Sequence, residues 1–140
     1  MNKVIIYTDG GARGNPGPAA IGLMICSPDH KVLAEHQETI GQTTNNVAEY
    51  RALIEALTRA RSFQPQEVVC YSDSQLMIEQ LKGNYKVKQP HLQELFQKVQ
   101  TLLQAFKQSQ FHHVRRENEW IQRVDALLNN ALDQAERGQL

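Results

Sequence analysis

The sequence predicts an α/β protein built on a mixed sheet covered by helices. Three observations point there. The first is a set of three strand candidates close together in the N-terminal third, two of them joined by a three-residue turn. The second is the remainder of the chain, where short apolar runs alternate with stretches of helical periodicity. The third is that two of the strand candidates finish on Asp, at Asp9 and Asp73. The predicted order is β-β-β-α-β-α-α-β-α, in one domain over residues 1–140.

Val4–Asp9 is a nearly continuous apolar run, as expected of a strand covered on both faces. Residues 10–18 (GGARGNPGP) read as a loop. Ala20–Ser27 and Val32–Ile40 flank the turn Pro28-Asp29-His30, an antiparallel hairpin. The second of these strands carries polar and apolar residues on both faces, which suits an exposed edge. Thr43-Thr44-Asn45-Asn46 is a helix entry signal. Val47, Tyr50, Leu53, Ile54, Leu57 and Ala60 then follow helical spacing until Pro65 interrupts.

Glu67–Asp73 is the next strand, and Ser74–Leu81 a short helix closed by Gly83. Asn84–Gln89 is a loop, with Lys82, Tyr85, Lys86 and Lys88 clustered around it. Pro90 opens a long helix whose stripe is Leu92, Leu95, Phe96, Val99, Leu102, Leu103 and Phe106. Phe111–Val114 is a last short strand. Glu117–Trp120 lead into a final helix with Ile121, Val124, Leu127, Leu128, Ala131 and Leu132 on its apolar face.

Composition narrows the functional classes. A hydrophobic fraction of 41% and a charged fraction of 21% suit a soluble globular chain. Fifteen basic residues balance fifteen acidic ones, so a polyanionic partner needs a local basic surface. No segment has the length of a membrane span or the pattern of a signal peptide, which makes the cytoplasm the expected location. Cys26 and Cys70 lack metal-type spacing and lie in strands, so they are expected to be reduced core thiols. His112 and His113 are neighbours in a strand, so their side chains diverge and do not share a metal.

Four acids sit near element ends: Asp9, Glu49, Asp73 and Asp125. Sites in open α/β sheets form at the carboxyl ends of strands. Four carboxylates within reach of one another repel unless a cation neutralises them. Oxygen donors without a Cys or His cluster suit Mg²⁺ or Mn²⁺. Each acid also has a structural reading: Asp9 as a turn residue, Glu49 as the acidic partner in a cap with Asn46, Asp73 as a helix cap, and Asp125 as a complement to a helix N-terminus. The case for a site is joint. Glu55, Glu79 and Asp133 fall on solvated helix faces and are left out. The run GGARGNPG is not followed by Gly-Lys-Ser/Thr and so is not a nucleotide phosphate loop.

The blocks YTDGGARGNPGPAAIG, TTNNVAEYRALIEAL and YSDSQLMIEQLKG, in this order and spacing, resemble type 1 ribonuclease H over nearly the whole chain. The resemblance implies a five-stranded mixed sheet, three antiparallel strands followed by parallel ones, with helices on both faces. It implies hydrolysis of the RNA strand of RNA–DNA hybrids by a two-metal mechanism, with Mg²⁺ or Mn²⁺ held by Asp9, Glu49, Asp73 and Asp125, leaving 5′-phosphate and 3′-hydroxyl ends. It places Asn15, Asn45, Asn46 and Gln75 along the minor groove, where the 2′-hydroxyl distinguishes RNA. Thr44 and Arg13 then fall near phosphates.

Three departures from the family pattern stand out. Asn, two variable residues and Ala-Asp are replaced by Ile121-Gln122-Arg123-Val124-Asp125. The loop before the last helix lacks the usual His, leaving Arg115, Arg116 or Glu117 to serve product release. The basic protrusion of many bacterial members is reduced to Gly83–Gln89 with its lysines. No separate hybrid-binding domain is expected before Asp9, and a monomer is expected. Two other readings share the architecture: a non-catalytic nucleic-acid-binding module, and an integrase-like nuclease.

Overall fold

The computed structural model describes residues 2–138; the expectations at Met1 and at residues 139–140 lie outside them. Five strands form one sheet in the order β3-β2-β1-β4-β5. They are β1 (Lys3–Ala12), β2 (Gly17–Cys26), β3 (Val32–Thr43), β4 (Glu67–Ser72) and β5 (Gln108–His113). The first three pair antiparallel, and β4 and β5 run parallel to β1. The helices are α1 (Asn45–Ala60), α2 (Gln75–Leu81), α3 (Pro90–Leu103) and α4 (Glu119–Gly138), with a 3₁₀ turn at Arg61–Phe63 after α1. The expected order and mixed sheet are therefore present. No helix among the described residues is long and apolar enough to cross a membrane.

The alternation of β1 places Val4 and Ile6 on one face and Ile5 and Tyr7 on the other. Val4 and Ile6 join Tyr50, Leu53 and Leu57 of α1, Met77 of α2, and Leu92 and Val99 of α3 in the larger core. Ile5 and Tyr7 join Met24, Cys26, Ile121 and Val124 under α4. Tyr7 lies at the centre of an aromatic stack, 5.1 Å from Tyr71 and 5.3 Å from Trp120 between ring centroids. That stack docks the start of α4 on the sheet, and burial pushes the Tyr7 phenol up to about 12. Cys26 and Cys70 are free thiols in the core, and burial raises both.

Several boundaries differ from those read in the sequence. Asp9 does not end its strand: β1 continues through Gly10, Gly11 and Ala12, which pair with Ile21, Ala20 and Ala19. Antiparallel pairing with β2 overrides the low strand preference of glycine. The parallel partner β4 stops earlier, at Tyr7↔Tyr71, so Asp9 stands beyond the end of the parallel ladder. Glu49 lies in the second turn of α1, because Thr44 is the cap: its hydroxyl accepts from Val47 N at 3.3 Å. Asp73 likewise does not cap α2; Ser74 does, accepting from Met77 N at 3.2 Å. The third strand is the expected edge but reaches Thr43, and β5 starts three residues early, at Gln108.

Candidate active site

Asp9, Glu49 and Asp73 come from β1, α1 and the β4–α2 junction, yet each offers a carboxylate oxygen within 4.8 Å of the others. The close approach of α1 to β1 makes this possible. Gly10 has no side chain to hold the helix away, and its N–H donates to Glu49 Oε1 at 2.7 Å. Asp125, in the second turn of α4, reaches the Asp9 carboxyl from the other side. Asn129, one turn further on, donates to Asp125 Oδ2 at 3.1 Å and fixes its direction. All four acids line one cavity of about 450 Å³.

The electrostatics disfavour the ionised cluster unless a counter-charge is bound. Burial, then the charges of Glu49 and Asp73, hold the Asp9 carboxyl far above the ordinary carboxylate range. Glu49 is also raised, by burial and by Asp73, although the Gly10 N–H opposes the shift. Arg116 is the only cation paired to the cluster among the described residues. Its Nε is 3.7 Å from Asp73 Oδ2, and its side chain is 88% exposed, so it neutralises little. A set of hard oxygen donors without nitrogen or sulfur fits Mg²⁺ or Mn²⁺. The other acidic group near a histidine, His36–Glu38–Glu55, is already satisfied internally: His36 Nε2 meets Glu38 at 3.1 Å and Arg59 holds Glu55 at 2.9 Å.

These shifts set a pH dependence for the metal-free protein. A carboxyl whose folded value lies above its unfolded value stabilises the fold below about pH 4, the ordinary carboxylate value. That contribution is lost as pH rises toward the raised values of Asp9 and Glu49. Without divalent ions, these two groups should therefore make the protein less stable at pH 8 than at pH 5. Mg²⁺ or Mn²⁺ should raise the melting temperature more at pH 8, since cations bind the ionised form. Thermal melts at both pH values, with EDTA and with each ion, check this; an equal metal-induced shift at both would contradict it.

Of the remaining sequence-predicted residues, Arg13, Asn45, Asn46 and Arg116 line this cavity. Asn15 Oδ1 accepts from Asn45 N at 3.0 Å, and Asn45 Oδ1 accepts from Ala12 N at 2.8 Å, so the β1–β2 loop is laced to the start of α1. Asn46 and Gln75 are exposed, and Asn46 lines the cavity wall. Thr44 spends its hydroxyl on the helix cap. Arg13 is held by Asp133 and Glu136 of α4, each at 2.7 Å, and approaches Asn129 Oδ1 at 3.2 Å. Of Arg115, Arg116 and Glu117, only Arg116 lines the cavity. Asn129 and Gly10 carry site roles that the sequence reading did not assign. The i, i+4 spacing of Asp125 and Asn129 was the available signal for the first.

Comparison with known proteins agrees with this geometry. The family model described as reverse transcriptase-like matches residues 7–130. The "Bifunctional protein Rv2228c" of Mycobacterium tuberculosis is 42% identical over 139 residues, covering 95% of this chain and 36% of that protein. The chain thus spans about a third of the length of the first curated relatives it matches. The ribonuclease H of Clostridium botulinum (strain Hall) is 34% identical over 151 residues, covering 96% of this chain and 98% of the relative. The crystal structure of LC11-RNase H1 in complex with an RNA/DNA hybrid superposes with a TM-score of 0.89 at 45% identity, over 94% of this chain and 98% of the other. With three carboxylates gathered at the end of the parallel ladder and a fourth supplied by α4, on a sheet shared with these proteins, the chain belongs to the ribonuclease H family.

Proposed function

We propose that this chain hydrolyses the RNA strand of RNA–DNA hybrids, with two divalent ions held by Asp9, Glu49, Asp73 and Asp125. The observation that carries the reading is the convergence of these four acids in one open cavity beside the amide-bearing loop and helix start. It is supported by family membership and by the RNA/DNA hybrid with which LC11-RNase H1 was crystallised. When bound, the ions would supply activation of the attacking water and neutralisation of the leaving 3′ oxygen, giving 5′-phosphate and 3′-hydroxyl ends.

The chain's own groups do the positioning. Gly10 N–H and Asn129 hold Glu49 and Asp125 at the angles the cluster needs. Asn15, Asn45, Asn46 and Gln75 present amides to the minor groove, where a 2′-hydroxyl offers both a donor and an acceptor. The lacing of Asn15 and Asn45 fixes that surface before substrate arrives. Thr44 and Arg13 lie along the same edge, and a phosphate reaching Arg13 must compete with Asp133 and Glu136. Arg116, exposed and adjacent to Asp73, is the member of its loop placed to attract the product phosphate away. The reading also carries a cytoplasmic location and a monomeric catalytic unit.

The test is cleavage of an end-labelled hybrid with Mg²⁺, with Mn²⁺ and with EDTA, beside single-stranded RNA and duplex DNA. Metal-dependent cutting confined to the RNA strand of the hybrid supports the reading. Hybrid binding without cutting would favour a non-catalytic module, and cutting of duplex DNA an integrase-like nuclease. Asp125→Asn belongs in the same assay, because Asp125 stands in the least typical motif; full activity in that variant would remove it from the ligand set.

A further inference from the structure

The segment between α2 and α3 carries Lys82, Lys86 and Lys88 with the exposed ring of Tyr85, and it is tied down in an unusual way. Gln80, on the inner face of α2, is only 4% exposed. A buried glutamine needs partners for both ends of its amide. Its Oε1 accepts from the buried Tyr50 hydroxyl at 2.5 Å, and its Nε2 donates to the carbonyl of Lys86 at 3.3 Å. From the opposite side, Gln93 of α3 donates Nε2 to the next carbonyl, that of Val87, at 2.9 Å. Val87 itself packs against the larger core. Two glutamines, one from each flanking helix, thus grip consecutive carbonyls of the peptide that separates Lys86 from Lys88.

The consequences concern charge. Lys82, Lys86 and Lys88 are exposed, and none has an ion-pair partner among the described residues. In a chain of zero formal net charge they form an unneutralised basic patch. Tyr85, Lys86 and Lys88 line a groove of about 510 Å³ together with Leu76 and Asn46. Asn46 also lines the carboxylate cavity, so groove and cavity adjoin. Through Tyr50 the grip is anchored on the residue next to Glu49. A loop free to move would lose entropy on engaging phosphates; a loop held in place loses less.

We infer that Gln80 and Gln93 are positioning residues: their paired hydrogen bonds to Lys86 O and Val87 O clamp a basic arm that holds the phosphate backbone of the hybrid beside the catalytic cavity. This rests on the proposed function for the identity of the polyanion. Neither glutamine touches substrate; each acts through the loop backbone.

The test is binding of a fluorescent RNA–DNA hybrid by the full chain carrying Asp9→Asn, over a range of salt. Gln93 is exposed, so Gln93→Met removes half of the clamp without burying an orphaned group. It should weaken binding about three- to tenfold and flatten the salt dependence toward the loss of roughly one phosphate contact. Gln80→Met should do the same or more. In a Lys86→Ala/Lys88→Ala background, Gln93→Met should have almost no further effect, because the arm then has nothing to present. With Asp9 intact, Gln93→Met should raise KM for the hybrid and leave kcat.

Lowered melting temperature with wild-type affinity and salt slope would reduce the clamp to a structural role and overturn the inference. So would unchanged binding in the lysine variant, or no hybrid binding at all. If the binding effects appear but the Asp9 protein cuts no hybrid, the proposed reaction fails while the clamp stands.

Discussion

Replacing Asp9 by Asn is expected to abolish metal-dependent cleavage while making the metal-free protein more stable at pH 8. The two effects have one origin. Asp9 shares one cavity with the other three acids, and burial together with their charge disfavours its ionised form. An amide of the same shape removes the repulsion, so the variant should melt above the wild type in EDTA. The sign is opposite to that of most substitutions at a well-packed buried position. The same change removes the proposed central ligand, whose charge would stabilise the transition state through the metals by several kcal/mol, so the rate should fall about a thousandfold or more. Metal should then raise the melting temperature less than it does in the wild type. Cleavage assays and melts with and without Mg²⁺ measure all three. Retained activity would remove Asp9 from the ligand set. A lower melting temperature in EDTA at pH 8 would contradict the electrostatic account.

Such opposed effects are a mark of a site built against the preferences of the fold. They also explain which parts of the molecule could be read from the chain alone. The element order was legible because core-facing residues recur with helix or strand period, as in the stripe from Leu92 to Val99, and because Thr44, Gly83 and Pro90 carry local boundary chemistry. The end of β1 was not. Gly10 and Gly11 have the local character of a loop, and only pairing with Ala20 and Ile21, across the β1–β2 turn, extends the strand. Glu49 looked like a capping partner because it follows Asn46 by three residues; its actual partner, Gly10, lies 39 positions away. Arg13 meets Glu136 across 123 positions. The grip of Gln80 and Gln93 on the basic arm is close in sequence, but glutamine in a helix has no pattern that distinguishes a buried donor from a solvated one. Motifs supplied the acids; packing supplied the contacts that aim them.

Gly10→Ala is expected to damage fold and site together. Gly10 faces the first turns of α1, and a Cβ built there collides with the backbone carbonyl of Ala48 and lies 2.6 Å from Glu49 N. Backbone is what it strikes, so no rotamer change relieves the overlap, and α1 must move outward. That shift strains a core in which Tyr50, Leu53 and Leu57 are almost completely enclosed. Overpacking of this kind costs about 3 kcal/mol. For a chain of this size that corresponds to a melting temperature lower by roughly 10 °C. The functional loss should exceed the loss of stability. As α1 retreats, Glu49 leaves the Gly10 N–H that it now meets at 2.7 Å and moves away from Asp9 and Asp73. Metal affinity should therefore fall even at temperatures where the variant is fully folded. Gly22→Ala provides the comparison. Its Cβ would strike the Val124 carbonyl on the opposite face, so it strains α4 and Asp125 rather than α1 and Glu49. Circular dichroism melts, with Mg²⁺ titrations well below each midpoint, separate the two effects. A Gly10→Ala protein with wild-type metal affinity would show that the close approach of α1 serves packing alone.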